Sequence, residues 1–173
     1  EKTNFEIEII QSPDNLGFAG GHNVSLRRAE ELSVDYSLIL NNDTIVKKDF
    51  LEKLVEAAAT HDDQGIFGPL IYFAEGHEFH QDRYKKEELG KVIWYGGGEI
   101  DWKNLILSHR GVDEVDRGQY KTIEKTAFVS GCCMLIPRKI SETVGKFTET
   151  YFLYLGDTDF NMRVKERGFE LYF

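Results

Sequence analysis

Cysteine is scarce in this sequence, and what there is argues against a disulfide framework. The 173 residues hold two cysteines, Cys132 and Cys133. They are adjacent, and neighbours in a strand point to opposite faces, so a bridge between them is disfavoured. With no third cysteine to pair, a reduced, cytoplasmic setting is expected. Long hydrophobic runs are also missing: none approaches the roughly 20 residues that span a bilayer, and no signal peptide is recognisable. Basic charge is in deficit. Lys and Arg number 21 against 30 Asp and Glu, a net charge of −9. Nucleic acid binding needs a concentrated basic surface, so that class of partner is excluded. A small phosphorylated substrate is not, because one bound divalent cation reverses the local potential. Repeats and low-complexity tracts are absent too.

What remains is an ordinary globular composition, 41% hydrophobic and 29% charged, rich in Phe and Tyr, and long enough to bury one core. Residues 5–9 alternate apolar and polar, as a half-covered strand does. A cluster of Pro, Asp, Asn and Gly follows, and Asn23 is placed to cap a helix with Val24, Arg28 and Leu32 on one stripe. Tyr36-Ser37-Leu38-Ile39-Leu40 is nearly continuous in apolar residues, the pattern of a strand buried on both faces. Together these read as a βαβ unit with a parallel strand pair. A second helix starts at Asp49, with Glu52 forming a capping-box-like pair and Phe50, Leu54, Ala57 and Ala58 facing inward. Residues 66–73 read as a strand, and 74–89 as a loop or mobile insertion. Short strands are expected at 93–100 and 105–107 around a Gly96-Gly97-Gly98 hairpin turn. Residues 126–137 are strand-like with a break at Gly131, 141–145 form a helical turn, and 157–167 form a helix closed by Gly168. The fold class is α/β. Because the chain opens and closes in strand-like sequence, residues 1–173 are expected to be one domain truncated at both ends.

Three segments are candidates for chemistry. Asn41-Asn42-Asp43-Thr44 follows the buried strand directly, at the carboxyl end where ligands collect in open sheets. A carboxylate there, near an amide, can hold Mg²⁺ or Mn²⁺ while a diphosphate completes the shell. The plainer reading is a polar turn. Asn15-Leu16-Gly17-Phe18-Ala19-Gly20-Gly21-His22-Asn23 lets backbone approach an anion at a helix N-terminus, yet has neither the lysine of a P-loop nor dinucleotide spacing. Its plainer reading is a tight strand-to-helix turn. Gly156-Asp157-Thr158-Asp159 sets two carboxylates at a helix start, which also serves simple capping. Arg163 is one turn beyond Asp159 and can pair with it. That leaves Asp157 the freer group, and a sugar hydroxyl attacking an anomeric carbon needs such a base.

These segments, in this order, resemble family-2 glycosyltransferases with the GT-A fold, especially their bacterial rhamnosyltransferase-like branch. Asn15 to Asn23 is similar to that branch's N-x-G-F-A-x-G-x-N, and Leu40-Asn41-Asn42-Asp43-Thr44 to its L-N-x-D-T form of the D-x-D metal motif. Ser130-Gly131-Cys132-Cys133-Met134-Leu135-Ile136 is similar to S-G-x-x-x-L-I/F-R. The stretch from Gly145-Lys146-Phe147 to Gly168 is similar to G-x-F-D-E-x-Y-F-x-x-x-E-D-x-D-x-x-x-R-x-x-x-x-G. The resemblance implies a mostly parallel sheet flanked by helices, lacking its first strand. It implies Asp43 as the ligand of Mg²⁺ or Mn²⁺. Asn15, Gly17, Gly21, Asn23, Asn41 and Gly131 would line the nucleotide-diphosphate sugar, and Asp157 would be the catalytic base of an inverting displacement. The acceptor would be a polysaccharide or lipid-linked glycan, met by Asp159 and Trp102, and the sugar a 6-deoxyhexose such as rhamnose. A lipid-linked acceptor would bring the chain to the inner face of the plasma membrane as a peripheral protein, although no residue here reads as an anchor.

The sequence departs from the pattern at Gly156, where the family carries Glu, and at Thr148, where it carries Asp. The family's nucleobase-gripping first strand is expected before Glu1, and a further segment after Phe173. His77-Glu78-Phe79-His80 reads as solvated loop rather than a metal site. Trp94, Tyr95 and Trp102 could stack on a sugar from an acceptor-side lid, or simply flank a hairpin. Two other functions compete: a non-catalytic nucleotide- or glycan-binding module of the same descent, and a nucleotidyltransferase, which would want a basic glycine-rich loop that is not here.

Overall fold

A computed structural model describes residues 6–173. Its centre is a four-stranded sheet in the order β1 (Tyr36–Leu40), β7 (Cys133–Pro137), β2 (Gly65–Phe67), β8 (Glu170–Tyr172). The run Cys133-Met134-Leu135-Ile136 is apolar without alternation because β7 lies in the middle and is buried on both faces. Met134 and Ile136 pack with Ala19 and Leu26 of α1 (Gly17–Glu31), Ile140 of α3 (Arg138–Val144) and Phe160 and Val164 of α4 (Gly156–Glu166). Cys133 and Leu135 face the other way, onto Leu54 and Ala58 of α2 (Phe50–Thr60). The result is a three-layer α/β/α sandwich in which each helix covers the sheet with the stripe its periodicity supplies.

The sheet is mixed. β1 pairs with β7 antiparallel, with Ile39 opposite Met134, β7 pairs with β2 antiparallel, and β2 pairs with β8 parallel. Three strands therefore run one way, and β7 alone opposes them. Among the described residues β1 pairs only with β7, not with the parallel strand expected at 5–9. The strand expected at 5–9 begins on Phe5, outside the described residues. Residues 6–9 carry no regular structure, and Ile7 and Ile9 are 87% and 88% exposed, so alternation there met no covering surface.

Helix α1 starts at Gly17, six residues earlier than Asn23 suggested. Asn15 Oδ1 accepts the Gly17 N–H at 3.0 Å, and the helix runs through the glycines because Phe18, Ala19 and Leu26 are what it buries. Its inward residues are not the expected Val24, Arg28 and Leu32; Leu32 is exposed and Arg28 pairs with Glu8 and Glu31. In α2 the expected stripe is in place, but Asp49 pairs with Lys53 at 2.6 Å and its side chain caps nothing.

The strand expected at 66–73 is split at Gly68-Pro69 into β2 and β3 (Ile71–Tyr72), and β3 pairs with β4 (Ile93–Tyr95). β5 (Gly98–Asp101) and β6 (Ile106–His109) form a hairpin whose turn is at 102–105, where the Asp101 carboxylate accepts the Lys103 and Asn104 N–H groups. The three glycines are thus not the turn. Gly98 is needed for close approach: a Cβ there would lie 2.3 Å from the Phe128 ring. The 74–89 segment is ordered by two 3₁₀ turns and by Glu78, a buried carboxylate that accepts the Gly76 and Gly90 N–H groups at 2.9 and 2.6 Å. Burial pushes that carboxyl's pKa up, but N–H donation from Gly90, its own backbone and Gly76 outweighs this, and it rests below the ordinary value.

Candidate active site

Residues 129–132 run between the end of β1 and the start of α4. The Asn41 N–H donates to the Cys132 carbonyl at 2.9 Å, continuing the β1–β7 ladder one step past Leu40. The Thr44 hydroxyl closes the following turn on the Asn41 carbonyl at 2.8 Å, which leaves the Asp43 carboxylate exposed. Burial raises the Cys132 thiol pKa, and the charge of Asp43 raises it further.

At the other end, Asp157 Oδ2 accepts the Gly131 N–H at 2.9 Å, and Oδ1 accepts the Thr158 N–H at 2.8 Å. Asn161, fully buried one turn along α4, bonds both the N–H and the carbonyl of Val129, at 2.8 and 2.9 Å, and the Asp157 carbonyl at 2.6 Å. It staples the helix start to the segment. Sequence reading missed Asn161; its only signal was an amide on the inner face of a polar helix. Phe18 was missed as well. A Cβ on Gly131 would lie 2.7 Å from Phe18 Cζ and 3.2 Å from Asp157 Oδ2, so only glycine fits between them.

Of the residues singled out beforehand, Asn41, Asp43, Gly131 and Asp157 are brought to one backbone bridge. Gly17 is nearby, packed against the Phe152 carbonyl, to which Phe18 N–H donates at 3.2 Å. Asn15 is spent on its own turn, and Gly21 lies on the exposed side of α1 with open space around it. Asn23 is a correction. It is 2% exposed, and its amide bonds the Phe147 carbonyl and N–H at 2.9 Å each, so it holds α1 to the 146–149 loop instead of lining a donor. Asp159 is another. Its Oδ2 accepts from Arg163 at 2.9 Å, the pairing expected one turn apart, and from the Thr148 hydroxyl at 2.7 Å. Arg163 also bonds the Val144 and Lys146 carbonyls, so the carboxylate is part of a structural brace.

Trp102 stands 67% exposed at the tip of the β5–β6 hairpin. Tyr95 is fully buried, its hydroxyl donating to the Phe128 carbonyl at 2.6 Å, and cannot stack on a ligand. Tyr151-Phe152-Leu153-Tyr154-Leu155 is an exposed apolar loop. It turns into α4 through positive φ at Tyr154 and Leu155, +62° and +59°, a conformation costing about 1–2 kcal/mol per residue. Local strain of this kind, next to Asp157, is common where a site is built.

Among the described residues no three His, Cys, Asp or Glu side chains cluster as a metal site. The residues at β1 do suit a hard cation that a ligand's own phosphates largely coordinate: Asp43 is exposed, and Asn41 and Thr44 add oxygens beside it.

The α/β sandwich thus presents one exposed carboxylate, Asp43, and one backbone-held carboxylate, Asp157, along a single bridge. The sequence profile of Glycosyl transferase family 2 matches residues 1–145, and the chain belongs to that family. Asp157 lies beyond the matched residues. The chain is 22% identical over 167 residues to a low-salt glycan biosynthesis hexosyltransferase of Haloferax volcanii, covering 96% of this chain and 48% of that protein. It is 21% identical over 170 residues to an N-acetylglucosaminyl-diphospho-decaprenol L-rhamnosyltransferase of Mycobacterium tuberculosis, covering 94% of this chain and 54% of that protein. An uncharacterized protein of Mycobacterium bovis is 27% identical over 169 residues. The chain therefore spans about half the length of the curated relatives it matches. No described helix is long and apolar enough to cross a membrane.

Proposed function

We propose that this chain carries the catalytic half of a metal-dependent, inverting glycosyltransferase that moves a sugar from a nucleotide-diphosphate donor to a glycan or lipid-linked acceptor. The observation that carries the reading is the backbone bridge from Asn41 to Asp157, which puts the end of β1 and the start of α4 at one place. Asp43, with Asn41 beside it, would hold Mg²⁺ or Mn²⁺ on the donor diphosphate. When bound, the ion supplies charge stabilisation to the departing phosphate. Asp157 accepts the proton of the attacking hydroxyl. The Gly131 and Thr158 N–H groups fix its orientation at the start of α4, as a positioned base requires. The names of the relatives support a hexose or deoxyhexose donor and a diphospho-polyprenol-linked acceptor, with rhamnose as one such sugar.

The test is Asp157→Asn in the full-length protein. The amide oxygen can still accept from Gly131, so the fold is kept while the base is lost. Transfer should fall by about 10²–10⁴-fold with donor binding retained, and the wild-type product should carry the inverted anomeric configuration by NMR. Undiminished transfer by the variant, or a retained configuration, overturns the reading. Binding of donor without any transfer by the wild-type protein would favour the non-catalytic module instead.

A further inference from the structure

Phe128, Val129 and Ser130 are buried but belong to no strand or helix. Buried peptide groups outside regular structure must find their partners elsewhere. Here side chains supply them. The Tyr95 hydroxyl donates to the Phe128 carbonyl at 2.6 Å. The N–H of that same peptide, on Val129, donates to Asn161 Oδ1 at 2.8 Å. A trans peptide points its carbonyl and its N–H in opposite directions, so this one unit is gripped from two sides. Asn161 Nδ2 then donates to the Val129 carbonyl at 2.9 Å, and its amide thereby engages both backbone groups of one residue, as a neighbouring strand would. Two residues on, the Gly131 N–H meets Asp157 Oδ2 at 2.9 Å. Asn161 also donates to the Asp157 carbonyl at 2.6 Å. Asp157 is therefore held twice, its backbone by Asn161 and its carboxylate by Gly131. Tyr95 comes from β4 and Asn161 from α4, and both are fully buried, out of reach of a ligand.

A general base acts from a fixed distance and direction, and misplacement near 1 Å weakens catalysis by about 10²-fold. The Gly131 N–H can hold the carboxylate only as firmly as its own backbone is held. We infer that Tyr95 and Asn161 are positioning residues for Asp157: from opposite sides they lock the Phe128–Val129 peptide, and through it the Gly131 N–H that aims the carboxylate. This rests on the assignment of Asp157 as the base.

The experiment uses the full-length protein. Tyr95→Phe keeps the ring and removes only the hydroxyl. Asn161→Ala removes all three bonds. Asn161→Asp restores some of them, because a buried carboxyl is favoured in its neutral form and can then accept from Val129 and donate to one carbonyl. Glu78→Gln, which weakens the 74–89 segment, is the control for stability alone. In Tyr95→Phe and Asn161→Ala, kcat for transfer should fall about 10–10²-fold while the donor KM stays within about threefold. Asn161→Asp should lie between Asn161→Ala and wild type, and Glu78→Gln should keep the wild-type kcat. In ¹H–¹⁵N spectra the wild-type Gly131 amide should follow the titration of Asp157, a step absent from Asp157→Asn. The same resonance should move in Tyr95→Phe. Wild-type kcat in folded Tyr95→Phe, or a Gly131 resonance that stays in place, overturns the proposal and leaves both residues as core packing. Should Asn161→Ala fail to fold, Tyr95→Phe decides by the same two readouts. The Gly131 resonance is read without turnover, so failure of the base assignment shows separately, as transfer surviving in Asp157→Asn.

Discussion

The Gly131 N–H donates to Asp157 Oδ2 over 2.9 Å, and the space between the two residues admits no side chain at position 131. A glycine in an otherwise apolar strand approach thus sets where the carboxylate points.

Gly131→Ala tests that relationship. The added methyl must displace the Phe18 ring or Asp157, costing about 1–3 kcal/mol of stability as overpacking does. If Asp157 gives way, transfer should drop by about 10²-fold while donor affinity changes little, since misplacement near 1 Å has that effect. Steady-state kinetics and thermal unfolding on the same sample separate the two effects.

Asp43→Ala bears on the metal. Asp43 is exposed, so the variant should fold with unchanged unfolding midpoint. Mn²⁺-dependent donor binding by calorimetry should weaken by at least tenfold, about 1.4 kcal/mol. Equal affinity with and without Mn²⁺ in the wild-type protein would remove Asp43 from the donor site.

Asn23→Ala separates structure from donor binding. Removing the amide strands the buried Phe147 N–H and carbonyl, and stability should fall by about 1–3 kcal/mol. Donor affinity of the folded variant should be unaltered; a selective loss of affinity without loss of stability would restore Asn23 to the ligand site.

Glu78→Gln addresses pH. The Glu78 carboxyl has its pKa lowered in the folded chain, so it contributes stability fully above the unfolded value, roughly 4.3, and loses it as pH falls through the folded value. Urea unfolding should show the variant less stable at pH 7. The gap should narrow once the pH drops below about 4. A gap independent of pH would mean that Glu78 acts through shape alone.

Much of this arrangement was legible in the residues themselves. The Asn41-Asn42-Asp43-Thr44 turn sits directly after β1 because the apolar run Tyr36–Leu40 ends there. The inner stripe of α2 and the Asp159–Arg163 pair both follow from spacing within one element. Side chains three and four apart on a helix, or two apart on a strand, share a face whatever else the chain does.

Tertiary structure decided the rest. Asn23 looks like a cap until Phe147, 124 residues away, supplies the backbone groups that its amide satisfies inside the core. The run Tyr151-Phe152-Leu153-Tyr154-Leu155 has strand composition, yet it finds no partner edge among the described residues and remains an exposed loop. The antiparallel seat of β7 between β1 and β2, and with it the bridge joining Asn41 to Asp157, depends on which distant strand fills a gap in the sheet. Local sequence fixes which face of an element is apolar. Which other apolar face covers it is a property of the whole packed chain, and the relation between Gly131 and Asp157 belongs to that second kind.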